Sequence, residues 1–308
     1  MLDVVRLRVL EAVARHGSVT LAARELHYSQ PSVSHHLARL EAETGAKLVQ
    51  RVGRGIRLTD AGRLLADRAA EVIGRLDAAS AELAAHVGLR AGRVRLAAFP
   101  SALGTFVPEA AVRLARRHPG LDLSLIEAEP PEALEMLRAG LVDAAVVFEY
   151  PASGPRADAD VRPTPLFDDP TFLVSPLDPL PGGPVASAGD GVASAGGGVA
   201  AYAGSKWIAG CDQCRSHLLD LCAEAGFTPA IAFTTDDYVA VQAMVAAGLG
   251  VTVLPRLALA AHRHPGVRVT PIPTARRVLA ATYGEPPDPP ATTALLHALT
   301  ETTTPADP

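Results

Sequence analysis

Ser29, Gln30, Pro31, Ser32, Ser34, His35 and Arg39 crowd the start of one segment, and Arg51, Arg54 and Arg57 follow on the next. Gln30 can exchange two hydrogen bonds with an adenine edge, and the serine hydroxyls can reach a base or a phosphate. A helix beginning here would aim free N–H groups at a phosphate oxygen, with Ser29 as its cap and Pro31 tolerated in its first turn. Thr20, in the preceding segment, joins the same set of candidate contacts. These residue types suit a surface that grips duplex DNA by its phosphates and reads base edges.

A second set of candidates lies where strands give way to helices further along the chain. Such junctions present unsatisfied N–H groups to a bound molecule. Phe99-Pro100-Ser101, Phe148-Glu149-Tyr150, Gly210-Cys211-Asp212 and Thr234-Thr235-Asp236-Asp237 all have this character. Pro100, Ser101, Phe148, Cys211 and Thr235 are the expected lining of a ligand cleft. Ser101 and Thr235 have the alternative of capping their own helices, and Asp236 and Asp237 are read as caps.

The Cys211-Asp212-Gln213-Cys214 motif admits three readings. It is a redox pair with one lowered thiol pKa, part of a zinc set with His217 and Cys222, or two small cysteines packed beneath a helix. The usual second Cys pair of a zinc site is missing, and nothing else in the sequence calls for a cofactor or a metal. An enzyme is not expected either. There is no Gly-x-Ser-x-Gly elbow, phosphate loop or His-x-x-x-His pair, and His262 and His264 flank Arg263 in a surface loop.

The elements that must position these residues are legible in the apolar spacing. Leu7, Leu10, Val13 and Ala14 mark a first helix that stops at His16-Gly17, and Ser18 caps a second carrying Leu21, Ala22 and Leu26. Val33, Leu37 and Leu40 mark a third, ending at Gly45. Residues 47–58 read as a small basic hairpin turning at 53–55. Residues 60–88 form a long helix. Its Leu65, Ala69, Val72, Leu76, Ala79 and Leu83 follow heptad steps, so Leu65, Val72, Leu76 and Leu83 are expected to form a dimer seam.

From 93 onward, strands alternate with helices: strands 93–99, 121–128 and 142–148 around helices 101–117 and 131–139. A second set has strands 171–174, 207–209, 231–234 and 251–254 with helices 215–225 and 238–247. Strand 278–283 and helix 292–300 close the chain. This predicts a βαβ fold with a parallel sheet, in two subdomains with a cleft between them. Residues 179–204, rich in Gly, Ala and Pro, read as a mobile surface loop.

Three units follow: a winged helix-turn-helix over 1–60, a linker helix over 61–90, and an α/β body over 91–303. Subdomain one takes about 91–165 and 272–303, and subdomain two about 166–271. The fold class is α+β and multi-domain. The whole chain carries a net charge of -5, yet residues 1–62 hold nine Arg or Lys against six Asp or Glu. A basic head on an acidic body suggests that only the head meets phosphate, and an architectural DNA protein would be basic throughout. No apolar run reaches the ~18–20 residues that span a bilayer. The first residues lack the features of a signal peptide, and three cysteines in 308 residues suit a reducing cytoplasm.

Residues 18–26, Ser29-Gln30-Pro31-Ser32-Val33-Ser34, Leu40-Glu41 and Leu58-Thr59-Asp60-Ala61-Gly62 together resemble the LysR-type transcriptional regulators. Two positions depart from that pattern. Val49 follows Leu48 where an aromatic is common, and His35-His36 stands where a basic residue more often leads. The resemblance implies a bacterial, cytoplasmic regulator whose body is like a periplasmic binding protein and senses a small effector. It also implies a homodimer assembled further into a dimer of dimers, an inverted-repeat operator, and RNA polymerase as a candidate partner. The cleft candidates mix Ser, Thr, Phe and Cys without an Arg pair, which favours a small, partly apolar ligand. The alternative is a ligand-binding or enzymatic α/β protein that merely carries a DNA-targeting head.

Overall fold

A computed structural model describes residues 2–52, 55–86, 92–150, 160–177 and 197–302. The head begins with α1 (Val4–His16), which Asp3 starts by accepting from the Val5 and Arg6 amides and Gly17 ends at φ 59°. α2 (Val19–Glu25) is capped by Ser18, and α3 (Gln30–Thr44) by Ser29, whose Oγ accepts from the Ser32 amide at 3.3 Å. Left-handed Gly45 ends α3 at φ 66°, where a side chain would be strained. The strands β1 (Val49–Val52) and β2 (Gly55–Leu58) pair antiparallel as a hairpin, with Val49 opposite Leu58.

Next comes the long α4 (Asp60–His86). Its Ala66, Ala69 and Ile73 close the head's core over Leu7, Leu10, Val13, Ala22, Val33, Leu37, Leu40 and Leu48. Gly62 explains how the hairpin and α4 meet. A Cβ there would stand 2.0 Å from the Leu48 carbonyl oxygen, so no larger residue fits this approach.

The body opens with β3 (Gly92–Ala98), α5 (Pro100–Leu103), α6 (Phe106–Arg117), β4 (Leu121–Glu127), α7 (Pro130–Arg138) and β5 (Ala144–Glu149). It continues through β6 (Val161–Pro176), α8 (Gly197–Ala200), β7 (Lys206–Ala209), α9 (Asp212–Glu224), β8 (Ala230–Thr234) and α10 (Tyr238–Ala246). β9 (Thr252–Pro255), α11 (Arg256–Ala261), β10 (Val267–Tyr283) and α12 (Pro290–Thr300) complete it.

The main sheet has the order β4-β3-β5-β10-β6-β9, and β7 and β8 form a second, parallel pair. β3 runs parallel to β4 and β5, whereas β10 is antiparallel to β5 and β6, and β6 to β9. The sheet is therefore mixed, not parallel. Two long strands cause this. β6 and β10 pair from Val161–Tyr283 at one end to Pro176–Val267 at the other, with a bulge between Pro271 and Ala275. β10 meets β5 at residues 277–281, while β6 meets β9 at residues 171–174, so this ribbon carries the chain from one half of the body to the other.

Several expectations change accordingly. Strands 171–174 and 278–283 are only the ends of β6 and β10. Pro163, Pro165 and Pro170 in one, and Pro271 and Pro273 in the other, mask the rest, because proline withdraws a ladder donor and reads as a break. Helix 101–117 is two helices that part at Gly104-Thr105. Helix α11 was not foreseen in the sequence. Part of the expected loop 179–204 is built structure: α8 buries Val199 beside Trp207, Leu218 and Cys222. Residues 179–196 of that loop lie outside the described residues.

Candidate nucleic-acid interface and ligand cavity

On α3, Val33, Leu37 and Leu40 are buried at helical spacing, so Gln30, Pro31, Ser34, His35 and Arg39 are turned to solvent. Gln30 is the first residue of the helix, where free N–H groups point outward. Thr20, Gln30 and Ser34 share one open groove with Lys47 and Gln50 beside the hairpin. Lys47 and Gln50 had not been singled out, because single polar residues in a hairpin carry no periodic signal.

Ser29 spends its acceptor on the cap, and Ser32 is half-buried. His36 is less exposed than His35, with its ring stacked on Tyr28 at 5.7 Å between centroids. Arg57 is exposed, while Arg54 and the side chain of Arg51 lie outside the described residues.

Glu41 fixes the hairpin to α3. Its Oε1 accepts from the Leu48 and Val49 amides at 2.9 and 3.3 Å, and its Oε2 from Lys47 Nζ at 2.7 Å. Partial burial works against the carboxylate, but the Lys47 ammonium and the two amides hold its pKa below the ordinary range.

Helix α4 carries the expected dimer residues on different faces. Leu65 is half-buried on the head's core, whereas Val72 and Leu76 are 44% and 43% exposed and Leu64 is 64% exposed. The Leu83 side chain lies outside the described residues. Lower down, α4 meets the body backbone to backbone: a Cβ on Gly74 would stand 2.5 Å from Gly140 Cα. Arg75 covers the Tyr283 ring at 5.5 Å beside this contact.

In the body, Pro100, Ser101, Phe148, Cys211 and Thr235 come together around one cavity, with Glu129, Cys214, Tyr238 and Arg276 among the other walls. Its volume is about 60 Å³. Ser101 does not cap its helix: its Oγ accepts from Arg276 Nη2 at 3.0 Å. Thr235 Oγ1 does serve the local turn, accepting from the Asp237 amide at 3.3 Å. Asp237 alone caps α10, and Asp236 stands exposed on the cavity rim rather than acting as a cap.

Arg276 is the centre that the sequence concealed. Its Nε donates to Asp169 at 2.9 Å, and its guanidinium lies 4.7 Å from the Phe99 ring centroid and 4.2 Å from that of Phe148. Asp169 also accepts from the Leu257 amide at 3.1 Å. Both charged side chains are almost fully buried. Burial is the largest single influence and opposes the guanidinium charge, but Asp169, through its charge and its hydrogen bond, together with Tyr150 and Cys214 raises the Arg276 pKa. The pair is internally neutral, so the cavity makes no strong demand for an anion. Glu129 adds a carboxyl whose pKa is raised by burial and whose Oε2 has no hydrogen-bond partner.

Cys211 is the N-cap residue of α9, and its Sγ donates to Cys214 Sγ at 3.0 Å. Tyr150 approaches Cys214 with its hydroxyl at 4.0 Å and stacks on His217 at 3.8 Å. Burial lowers the His217 pKa to about 4 against a weaker pull from Asp220. Cys222 belongs to a separate apolar cluster. Among the described residues, no three His, Cys, Asp or Glu side chains are grouped to hold a metal ion. No described helix is long and apolar enough to cross a membrane.

Residues 4–63 match the family model for the bacterial regulatory helix-turn-helix protein of the lysR family, and residues 88–304 match the LysR substrate binding domain. The chain belongs to the LysR family. Within it, the chain is 30% identical over 284 residues to the DNA-binding transcriptional dual regulator OxyR of Escherichia coli, covering 90% of this chain and 88% of that one. It is 34% identical over 178 residues to a RuBisCO operon transcriptional regulator of Allochromatium vinosum, a match spanning 57% of that protein and 58% of this one. The fold is similar to that of full-length OxyR from Pseudomonas aeruginosa, with a TM-score of 0.68, 24% identity, and 98% and 96% of the two chains covered. This LysR-family chain is thus a DNA-binding transcriptional regulator with an effector-binding domain.

Proposed function

We propose that this LysR-family regulator reads DNA by seating the N-terminal end of α3 in the major groove, with Gln30 on a base edge. Thr20, Ser34, His35 and Arg39 flank that contact, and Arg51, Arg54 and Arg57 of the hairpin hold the neighbouring phosphates. The observation that carries this reading is the exposed Gln30 at the open end of α3, in one groove with Thr20 and Ser34. Two heads join through the exposed Val72 and Leu76 of α4, with Leu65 and Leu83 at the ends of the seam. A two-fold pair of heads requires an inverted repeat, with half-sites about one helical turn or more apart. Pairs of dimers form the working assembly, which meets RNA polymerase in the cytoplasm.

The effector binds the cavity around Ser101, Phe148, Cys211 and Thr235, and the protein responds to it without turning it over. With Arg276 neutralised by Asp169, the cavity suits a small, uncharged or partly apolar molecule. Its binding shifts the arrangement of the heads only to the extent that the two arrangements differ in affinity for it.

Footprinting on the DNA upstream of the protein's own gene, at two salt concentrations, tests the first part. The expected result is a salt-sensitive footprint with two half-sites that Gln30→Ala weakens at particular base pairs. A footprint indifferent to Gln30 would remove base reading from α3.

A further inference from the structure

We propose that the effector is a small primary amine, bound as its ammonium ion with the nitrogen on Glu129 and the carbon chain against the apolar walls of the ligand cavity. This rests on the reading of that cavity as the effector site and narrows it to one class of molecule. The argument begins at the start of α7. Glu129 occupies the N-cap position, yet its side chain makes no capping hydrogen bond. Pro130 and Pro131 follow it and bring no N–H, which leaves a cap only the Glu132 amide to reach. The carboxyl instead lines the cavity, and its Oε2 is buried there without a hydrogen-bond partner. A buried acceptor left unpaired is costly and rare in a folded protein, and a ligand that donates to it removes the cost.

Charge decides what kind of donor that is. Arg276 is the one cation among the described residues that line the cavity, and Asp169 neutralises it. Ser101 and Thr235 already accept from Arg276 and from the Asp237 amide. The carboxyls of Glu129 and Asp236 remain, one from each half of the body, with Glu127 exposed at the end of β4 nearby. Burial raises the Glu129 pKa, the Cys211 thiol and Arg276 oppose that rise, and Asp236 and Glu127 reinforce it. The acidic neighbours favour a cation at Oε2 over a neutral or anionic partner.

Size and wall chemistry narrow the cation. The cavity holds about 60 Å³. A single water takes ~10–15 Å³ on that measure, so a ligand of about four to six non-hydrogen atoms fits. Phe148, Ile208, Val241 and Leu254 give it apolar walls. A bare metal ion gains nothing from such walls, whereas a short alkyl chain does. An ammonium group carries three N–H donors and makes short, charge-assisted bonds to a carboxylate. Glu129 belongs to the first half of the body and Asp236 to the second. A cation held between them therefore favours the arrangement that brings the two acidic lips together.

The test titrates the full-length protein with n-butylammonium chloride and with three molecules of similar shape, butan-1-ol, butyramide and sodium butyrate, at one ionic strength. Calorimetry should show butylammonium binding about tenfold or more tighter than the other three. Glu129→Gln should weaken it about tenfold or more, and Asp236→Asn by less. Wild-type affinity should rise with pH while the Glu129 carboxyl gives up its proton, then level off, because the ammonium pairs with the carboxylate. Glu129→Gln should lack that slope. Glu129→Leu separates recognition from folding: without the unpaired oxygen it should melt at or above the wild-type Tm, yet no longer respond to butylammonium. A Glu129→Leu protein that melts well below wild type would make the carboxyl a structural group and overturn the proposal. Absence of butylammonium binding, or binding that survives Glu129→Gln, would overturn it as well. If butan-1-ol or butyramide binds instead and slows amide exchange around Ser101 and Thr235, the cavity remains the effector site and only the amine is lost. If no probe protects those amides, both readings fall.

Discussion

The head and the body each hang on one charged constellation, and the two are built on opposite terms. In the head, Glu41 ties α3 to the hairpin through partners six to eight residues away, and Lys47 stands largely in solvent. In the body, Arg276 joins Asp169, 107 residues distant, and Ser101, 175 distant, with the ion pair almost fully excluded from water. The first is a local brace, modest in energy because exposed pairs are screened. The second is worth little as a pair, yet leaving either partner alone strands a buried charge. The head is therefore expected to tolerate the loss of its brace better than the body tolerates the loss of its clasp.

The largest expected effect breaks that clasp. Asp169→Ala should destabilise the body by ~3–5 kcal/mol in urea unfolding, because the buried Arg276 is left without its carboxylate partner. An Asp169→Leu, Arg276→Met double variant should recover most of the loss. Were the single change to cost as little as a surface pair, the contrast between the two constellations would collapse.

Next in size is Gly74→Ala, which forces apart α4 and the Ala139-Gly140 backbone. A strain of ~1–3 kcal/mol is expected, read as faster amide exchange around Gly140 while the cores of head and body stay protected. Equal protection throughout would mean that α4 is not held there.

Glu41→Gln should cost about 1 kcal/mol, with the loss confined to the head's transition. Its pH dependence sharpens the comparison. The folded carboxyl pKa is depressed, so its contribution is present above the ordinary carboxylate pKa and is lost as pH falls through the folded value. Wild type and Glu41→Gln should therefore converge in acid. The smallest effect is at His27, held at φ 55° between α2 and α3. His27→Gly should be neutral to ~1 kcal/mol stabilising by thermal melting, since glycine meets no Cβ penalty there.

The same contrast explains what could be read in advance. The head's helices announce themselves through Ser18, Ser29, Gly17 and Gly45 and through apolar residues at helical spacing, all signals that act within a few residues. The cavity residues Ser101, Cys211 and Thr235 stood out because each sits at a strand-to-helix junction. Arg276, Asp169 and Glu129 did not, since nothing local distinguishes a clasp residue from a surface charge. The sixteen-residue β6 was hidden by its own prolines, and α11 by following β9 without a gap. Where a contact spans a hundred residues, periodicity has no purchase on it.

The ribbon of β6 and β10 behaves mechanically like a leaf spring with a notch. Between Pro271 and Ala275 the ladder is interrupted, and the first rungs past the notch are Ala275 on Pro170 and Arg276 on Asp169. Flexure of such a spring concentrates at the notch, where the fewest rungs resist it. The clasp is riveted right beside that point, with Arg276 bonded to Asp169 on the neighbouring strand and to Ser101 on the helix below. A second interruption, between Val278 and Leu279, lies on the other side of the clasp, so Arg276 and Asp169 sit on a short run of rungs bounded by two notches.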